Sequence, residues 1–290
     1  MESGSVVVEG PLELRRTLQP FGGHFRPDGW WKAMRSPEGP AALHLRRRQE
    51  VIEFRAFGPG ASWAAATVEG LVGADDDPAA FETGHPLVAE LARRHRGWRI
   101  GRTRLVFEAL LVAIVAQKVT GKESALGMKG LHARFSEQAP GPEPLVLSPD
   151  PARLAEAPYY EFHPLGIEQR RADTIRRVAR DHFRIEALST RTPATTSRYL
   201  QRIVGIGPWT AAETVAVSHG DPDAVSVGDF HLKNEVAWHL GGRPRGTDEE
   251  MLELLEEFRP QRGRVIRLLG TLGHAPAFGP RLPIRSIAGI

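Results

Sequence analysis

Leu200-Gln201-Arg202-Ile203-Val204-Gly205-Ile206-Gly207-Pro208-Trp209-Thr210-Ala211-Ala212 is the stretch whose reading decides the fold. Thr196 to Val204 reads as a helix that ends at the first glycine. Two glycines around one apolar residue make a tight turn, because glycine tolerates positive φ and close backbone approach. Pro208 suits the first turn of a second helix, where its missing N–H costs nothing. Backbone N–H groups gather at that helix start and form an anion site, which grips phosphate without reading a base. A plain turn between two helices is the other reading of the same residues.

Asp229 follows Ser226-Val227-Gly228 and opens a helical run from Phe230 to Leu240. Aspartate caps helix N-termini well, and that alone accounts for it. It also stands one helix downstream of the turn. A phosphate held there would bring a nucleotide near this carboxylate.

Working outward, residues 1–82 read as a β-rich domain and residues 83–275 as helical, with a loose tail over 276–290. Ser5–Val8, Gly29–Arg35, Ala41–Arg46 and Glu50–Phe57 are predicted strands, the last three forming an antiparallel meander. Helices are expected at Leu12–Leu18 and Ser62–Val72. Beyond the Asp75-Asp76-Asp77-Pro78 linker, Arg104–Lys118 is apolar nearly all round and predicts a buried central helix. The fold class expected is α+β, an antiparallel sheet domain followed by an all-α body.

The 290 residues contain no cysteine, which excludes disulfides, thiolate nucleophiles, cysteine-held zinc and iron–sulfur clusters. Met1-Glu2-Ser3-Gly4 is acidic and has no apolar core, and the apolar run Leu105–Ala116 is too short to span a bilayer. A soluble, cytoplasmic protein without membrane contact is expected. The formal charge is +3, with 33 arginines against 5 lysines. Arginine suits bidentate phosphate contacts, although codon bias in a GC-rich genome gives the same excess. Residues 1–100 are neutral, whereas 169–212 hold nine arginines and three acids. That segment is either a phosphate-facing surface or a solvated helix face.

With Val112-Ala113-Ile114-Val115-Ala116-Gln117, Arg170–Arg180, the turn and Gly228-Asp229-Phe230-His231-Leu232-Lys233 in hand, the chain resembles the helix-hairpin-helix DNA glycosylase superfamily. It is most similar to bacterial 3-methyladenine DNA glycosylase II. The likeness covers roughly residues 75–275. It implies that Asp229 is the catalytic carboxylate, stabilising the sugar cation or activating water. It implies that Val204, Gly205, Ile206, Gly207 and Thr210 hold DNA phosphate. It also implies a monovalent cation, Na+ or K+, at the carbonyls of Val204 and Gly207, no other cofactor, double-stranded DNA as partner, and a monomer. Trp209 matches a pocket aromatic; helix packing is its alternative. Bifunctional members carry a lysine just after the hairpin for Schiff-base chemistry. Here that position is Trp209, which points to a hydrolase without strand cleavage. The missing cysteines exclude the iron–sulfur branch.

The chain departs from the enterobacterial-type pattern at Glu213, where those members have tyrosine, and at Gly270, where they have tryptophan. Gln117 is retained in the base pocket. The wedge position after it is Lys118, which has the reach to contact phosphate. Glu213 reads as a second pocket carboxylate or as a solvated helix position. Tyr159 and Tyr160 read as base-stacking residues or as core. Three functions follow: a glycosylase for alkylated purines, a non-catalytic DNA-binding protein of the same fold, and a glycosylase for deaminated or oxidised purines.

Overall fold

Trp30 and Trp31 are adjacent on one strand, point to opposite faces of a sheet, and are both buried. The sheet is therefore covered on both sides. It has five strands, β1 (Glu2–Val7), β2 (His24–Arg26), β3 (Gly29–Ser36), β4 (Gly39–Arg48) and β5 (Val51–Phe57), all antiparallel in the order β1-β5-β4-β3-β2. The expected meander is its centre. The two edge strands differ from expectation: β1 begins at Glu2 rather than Ser5, and β2 was not anticipated. Most of β1 is exposed and so lacks a buried, alternating face.

On the Trp30 face, Met34, Leu43, Leu45 and Ile52 pack with α1 (Leu14–Leu18), α2 (Ala61–Ala66) and α3 (Val68–Leu71). The single helix expected over Ser62–Val72 is thus two. On the Trp31 face, the loop at 139–147 supplies Ala139, Leu145 and Leu147. The computed structural model describes residues 1–276; the tail beyond Pro276 lies outside the described residues.

The helices continue as α4 (Pro86–Arg94), α5 (Val106–Val115), α6 (Gly121–Phe135), α7 (Pro151–Glu156), α8 (Gln169–Arg180), α9 (His182–Glu186), α10 (Pro193–Leu200), α11 (Pro208–Ser218), α12 (Leu232–Gly241), α13 (Asp248–Leu255) and α14 (Arg262–Leu269). They build two apolar clusters. α5 to α11 pack around α5, whose Leu110, Ile114 and Val115 are wholly buried. α4 packs instead with α12, α13 and α14 through Val88, Leu91, Val236 and Val265. Burying each such side chain contributes on the order of 2 kcal/mol.

α5 is shorter than the expected Arg104–Lys118. Arg104 and Lys118 sit at φ +57° and +54°, left-handed conformations that end a helix and that nothing in the residue types announces. Glu186 of α9 accepts the N–H groups of Val106 and Phe107 at 3.0 and 2.9 Å, closing the N-terminus of α5. Within the described residues no helix is long and apolar enough to cross a membrane.

Candidate active site

The helix before the turn ends at Leu200, not Val204. Thr192 caps it early, its hydroxyl accepting from the Thr195 N–H, and Pro193 opens it. The next residues tighten into three-residue bonds, Ile203 N–H to Leu200 C=O and Ile206 N–H to Ile203 C=O. Gly205 then takes φ +97°, and a Cβ there would lie 2.2 Å from Thr174 Oγ1 of α8. Only glycine fits. Gly207 is the N-cap of α11 at an ordinary φ of −102°, with open space where a Cβ would go. One glycine packs inward; the other leaves room outside. Ile206 is buried in the α5–α11 core and anchors the turn.

Among the described residues, the N–H groups of Gly205, Gly207, Trp209 and Thr210 have no hydrogen-bond partner. They are open donors along the turn and at the start of α11, where the sequence reading expects an anion site. The Thr210 side chain does not belong to it. It is buried, and its hydroxyl accepts from Gln117 Nε2 at 2.8 Å. Gln117 also donates to the Gly205 carbonyl at 2.9 Å, so its amide nitrogen braces the hairpin from the end of α5.

The Val204 and Gly207 carbonyls, at which the resemblance implies a monovalent cation, each already accept one hydrogen bond. Val204 O accepts from Arg177 Nη1 at 2.7 Å, and Gly207 O accepts the Ala211 N–H at 3.0 Å. A guanidinium already lies against the first oxygen, and the second belongs to the α11 ladder.

Asp229 caps the chain entering α12 with one carboxylate oxygen and reaches the hairpin side with the other. Oδ1 accepts the N–H groups of His231 and Leu232 at 2.8 and 2.9 Å, filling the start of α12. The regular helix nonetheless begins at Leu232 rather than Phe230. Oδ2 accepts from Trp209 Nε1 at 3.0 Å. Trp209 is half-buried, in the first turn of α11, so hairpin, indole and carboxylate are contiguous.

Glu213 lies one turn after Trp209 on the same face of α11. It is not a solvated position. Burial pushes its carboxyl above the ordinary carboxylate range, the Ser226 hydroxyl pulls back, and Asp229 adds to the rise. Ser226 Oγ donates to Glu213 Oε1. Arg267 of α14 is half-buried nearby, and loss of solvation lowers its own value. Tyr159 packs on the α5–α11 core and edge-on to His163, while Tyr160 is 71% exposed. No hydrogen bond joins either to Asp229. A cavity of about 420 Å³ lies between residues 77–84 and 257–261, and none of the residues above lines it. The polar groups that converge on Asp229 lie outside that cavity.

Residues 111–261, just over half of the chain, match the HhH-GPD superfamily of base excision DNA repair proteins. The chain belongs to this superfamily. It is 24% identical over 178 residues to the Bacillus subtilis protein YfjP, named as a DNA-3-methyladenine glycosylase. That alignment covers 60% of this chain, and the chain spans 61% of the length of this curated relative. The 3-methyladenine DNA-glycosylase from Archaeoglobus fulgidus has the same fold, with a TM-score of 0.78 at 16% identity over 92% of this chain and 97% of that one. The 8-oxoguanine glycosylase/lyase from Clostridium acetobutylicum follows with a TM-score of 0.67 at 16% identity, over 93% and 96%.

In this HhH-GPD protein the charge around the hairpin is only partly structural. Arg171 is buried and holds the carbonyls of Val115 and Gly166, and Arg177 holds Val204. Arg170, Arg184, Arg191, Arg198 and Arg202 are exposed without a partner among the described residues. Lys118 is exposed beside Gln117, whereas Lys233 pairs with Asp248 at 3.5 Å. Three supports escaped the sequence reading: Ser226, Asp248 and Arg177. Each acts across the fold, and no local signal marks it.

Proposed function

We propose that this chain is a monofunctional DNA glycosylase that hydrolyses the N-glycosidic bond of alkylated purines of the 3-methyladenine type in duplex DNA. The observation that carries this reading is the Asp229 carboxylate, held by Trp209 one helix from a turn of unoccupied amides. Sequence-independent phosphate contacts at the hairpin position the strand. The target nucleotide leaves the stack to reach the carboxylate. The C1′–N bond breaks with its electron pair going to the base. A purine alkylated on a ring nitrogen is cationic and departs neutral, so it needs little acid assistance. Positive charge builds on the sugar, and Asp229 supplies the matching negative charge in a partly desolvated site. Water adds to C1′ and loses a proton, leaving an abasic site. The half-buried Trp209 offers an aromatic face to a cationic base. Pro208-Trp209 follows the hairpin where a Schiff-base lysine would stand, so the strand stays intact.

The test is mass spectrometry of bases released from duplex DNA carrying methylated, deaminated and oxidised purines. The reading expects 3-methyladenine or 7-methylguanine, with no strand nicking. A second reading rests on Glu213. A buried carboxyl with a raised value is able to donate a proton to a neutral leaving base. Release of a deaminated or oxidised purine alone selects it. Salt-dependent DNA binding with no release from any lesion selects a non-catalytic binder.

A further inference from the structure

The segment that carries Asp229 is a turn that would not hold itself. Ser226 to Asp229 is closed by one backbone bond, Asp229 N–H to Ser226 C=O at 3.2 Å. Gly228 lies inside it at φ +89°, with nothing within 4 Å of where a Cβ would be. Glycine in such a position leaves the unpinned turn many alternatives. Side chains from two helices remove them. Trp209 in the first turn of α11 donates to Asp229 Oδ2 at 3.0 Å. Glu213, one helical turn on, accepts from Ser226 Oγ. Asp248 at the start of α13 accepts the Gly228 N–H at 3.1 Å. Trp209 and Glu213 share one helix face, and their partners Asp229 and Ser226 are the two ends of the turn. α11 therefore grips the turn at both ends.

We propose that Glu213 is a positioning residue for Asp229, holding the 226–229 turn through Ser226 so that the carboxylate meets the sugar of the extruded nucleotide. The proposal rests on the glycosylase reading given above. The Ser226–Glu213 hydrogen bond lies largely out of bulk water, where such a bond is stronger than at the surface. The carboxyl is largely removed from water, so removing the Ser226 hydroxyl leaves it unsatisfied in the interior. The half-buried Arg267 guanidinium opposes the charge that Asp229 adds. Losing this hold frees the Ser226 end while Trp209 still touches Asp229. The carboxylate then samples positions away from the reacting carbon, and a displacement of about 1 Å there costs on the order of 100-fold in rate.

The experiment compares wild type with Glu213→Ala, Glu213→Gln, Ser226→Ala and the Glu213→Ala/Ser226→Ala double variant. Single-turnover base release and duplex affinity are measured on DNA bearing the released lesion. Glu213→Ala and Ser226→Ala are each expected to slow release by about 10- to 100-fold. Affinity stays within about 2-fold of wild type, because the hairpin is untouched. The double variant is no slower than the slower single one, since both remove the same bond. Glu213→Gln keeps an oxygen for the Ser226 hydroxyl and stays within about 3-fold of wild type. Release at the wild-type rate by Glu213→Ala, or equal slowing by Glu213→Gln and Glu213→Ala, overturns the proposal. If Glu213→Ala fails to fold, Ser226→Ala carries the comparison. If wild type releases no base at all, the glycosylase reading falls first. The positioning claim is then read from the Trp209 indole N–H resonance, assigned with Trp209→Phe. Movement of that resonance in Ser226→Ala supports the hold, and an unmoved resonance overturns it.

Discussion

The hairpin at 201–207 and the turn at 226–229 are built alike and left in opposite states. Each bends through a glycine at positive φ, Gly205 at +97° and Gly228 at +89°, and each delivers the chain into a helix. At the hairpin, the first amides of α11 stay open. At the turn, Asp229 folds its own carboxylate onto the first amides of α12. A helix N-terminus attracts negative charge. One is left open and the other has taken an anion from the chain. The open end is suited to holding a phosphate. The filled end holds a carboxylate still, with its second oxygen against Trp209. A third case stands beside them. α5 is closed by Glu186, a buried carboxylate from α9, and faces neither role.

The largest expected effect breaks the filled end. Asp229→Asn keeps an oxygen for the α12 amides and removes the charge. Base release should fall on the order of 1,000-fold, measured in single turnover, while the melting temperature stays close to wild type. The hairpin's inner glycine comes next. Gly205→Ala puts a Cβ against Thr174 in a left-handed backbone, and should cost about 3 kcal/mol in denaturant unfolding.

The α5 cap sharpens the comparison through pH. Burial pushes the Glu186 carboxyl up to about 7. Its folded value lies above its unfolded one, so its contribution to stability is present below about 4.5 and is lost as pH rises through about 7. Glu186→Gln does not titrate. Its stability relative to wild type should therefore improve by about 2 kcal/mol between pH 5 and pH 8, followed by thermal unfolding. A relative stability flat across that range contradicts the assignment. The smallest effect concerns the arginines around the open end. Arg198→Gln should lower the slope of log affinity against log salt by about one, alike for damaged and undamaged duplex.

The two turns were legible because their signals are local: Gly-Ile-Gly-Pro, and an aspartate before a helical run. The central strands were legible from their β-branched and aromatic residues and short turns. What escaped was decided across the fold. The left-handed Lys118 shortens α5 without a glycine to mark it. Thr210 is turned inward, where Gln117 reaches it from the turn after α5. Glu213 stood between a solvated face and a pocket until Ser226 was found against it. Residue type gives a side chain's chemistry; its partner depends on elements far apart in sequence.

The most direct test converts the open end into a copy of the filled one. Gly207 is the N-cap of α11, with room for a side chain. Gly207→Asp puts a carboxylate where it reaches the Trp209 and Thr210 amides, which favours the helix. Base release at saturating DNA and duplex affinity are then measured for Gly207→Asp beside Asp229→Asn. The account predicts that Gly207→Asp binds DNA at least about 10-fold more weakly yet releases base near the wild-type rate once saturated. It predicts that Asp229→Asn binds like wild type and releases almost nothing. Unchanged DNA affinity in Gly207→Asp, or wild-type release by Asp229→Asn, would contradict it.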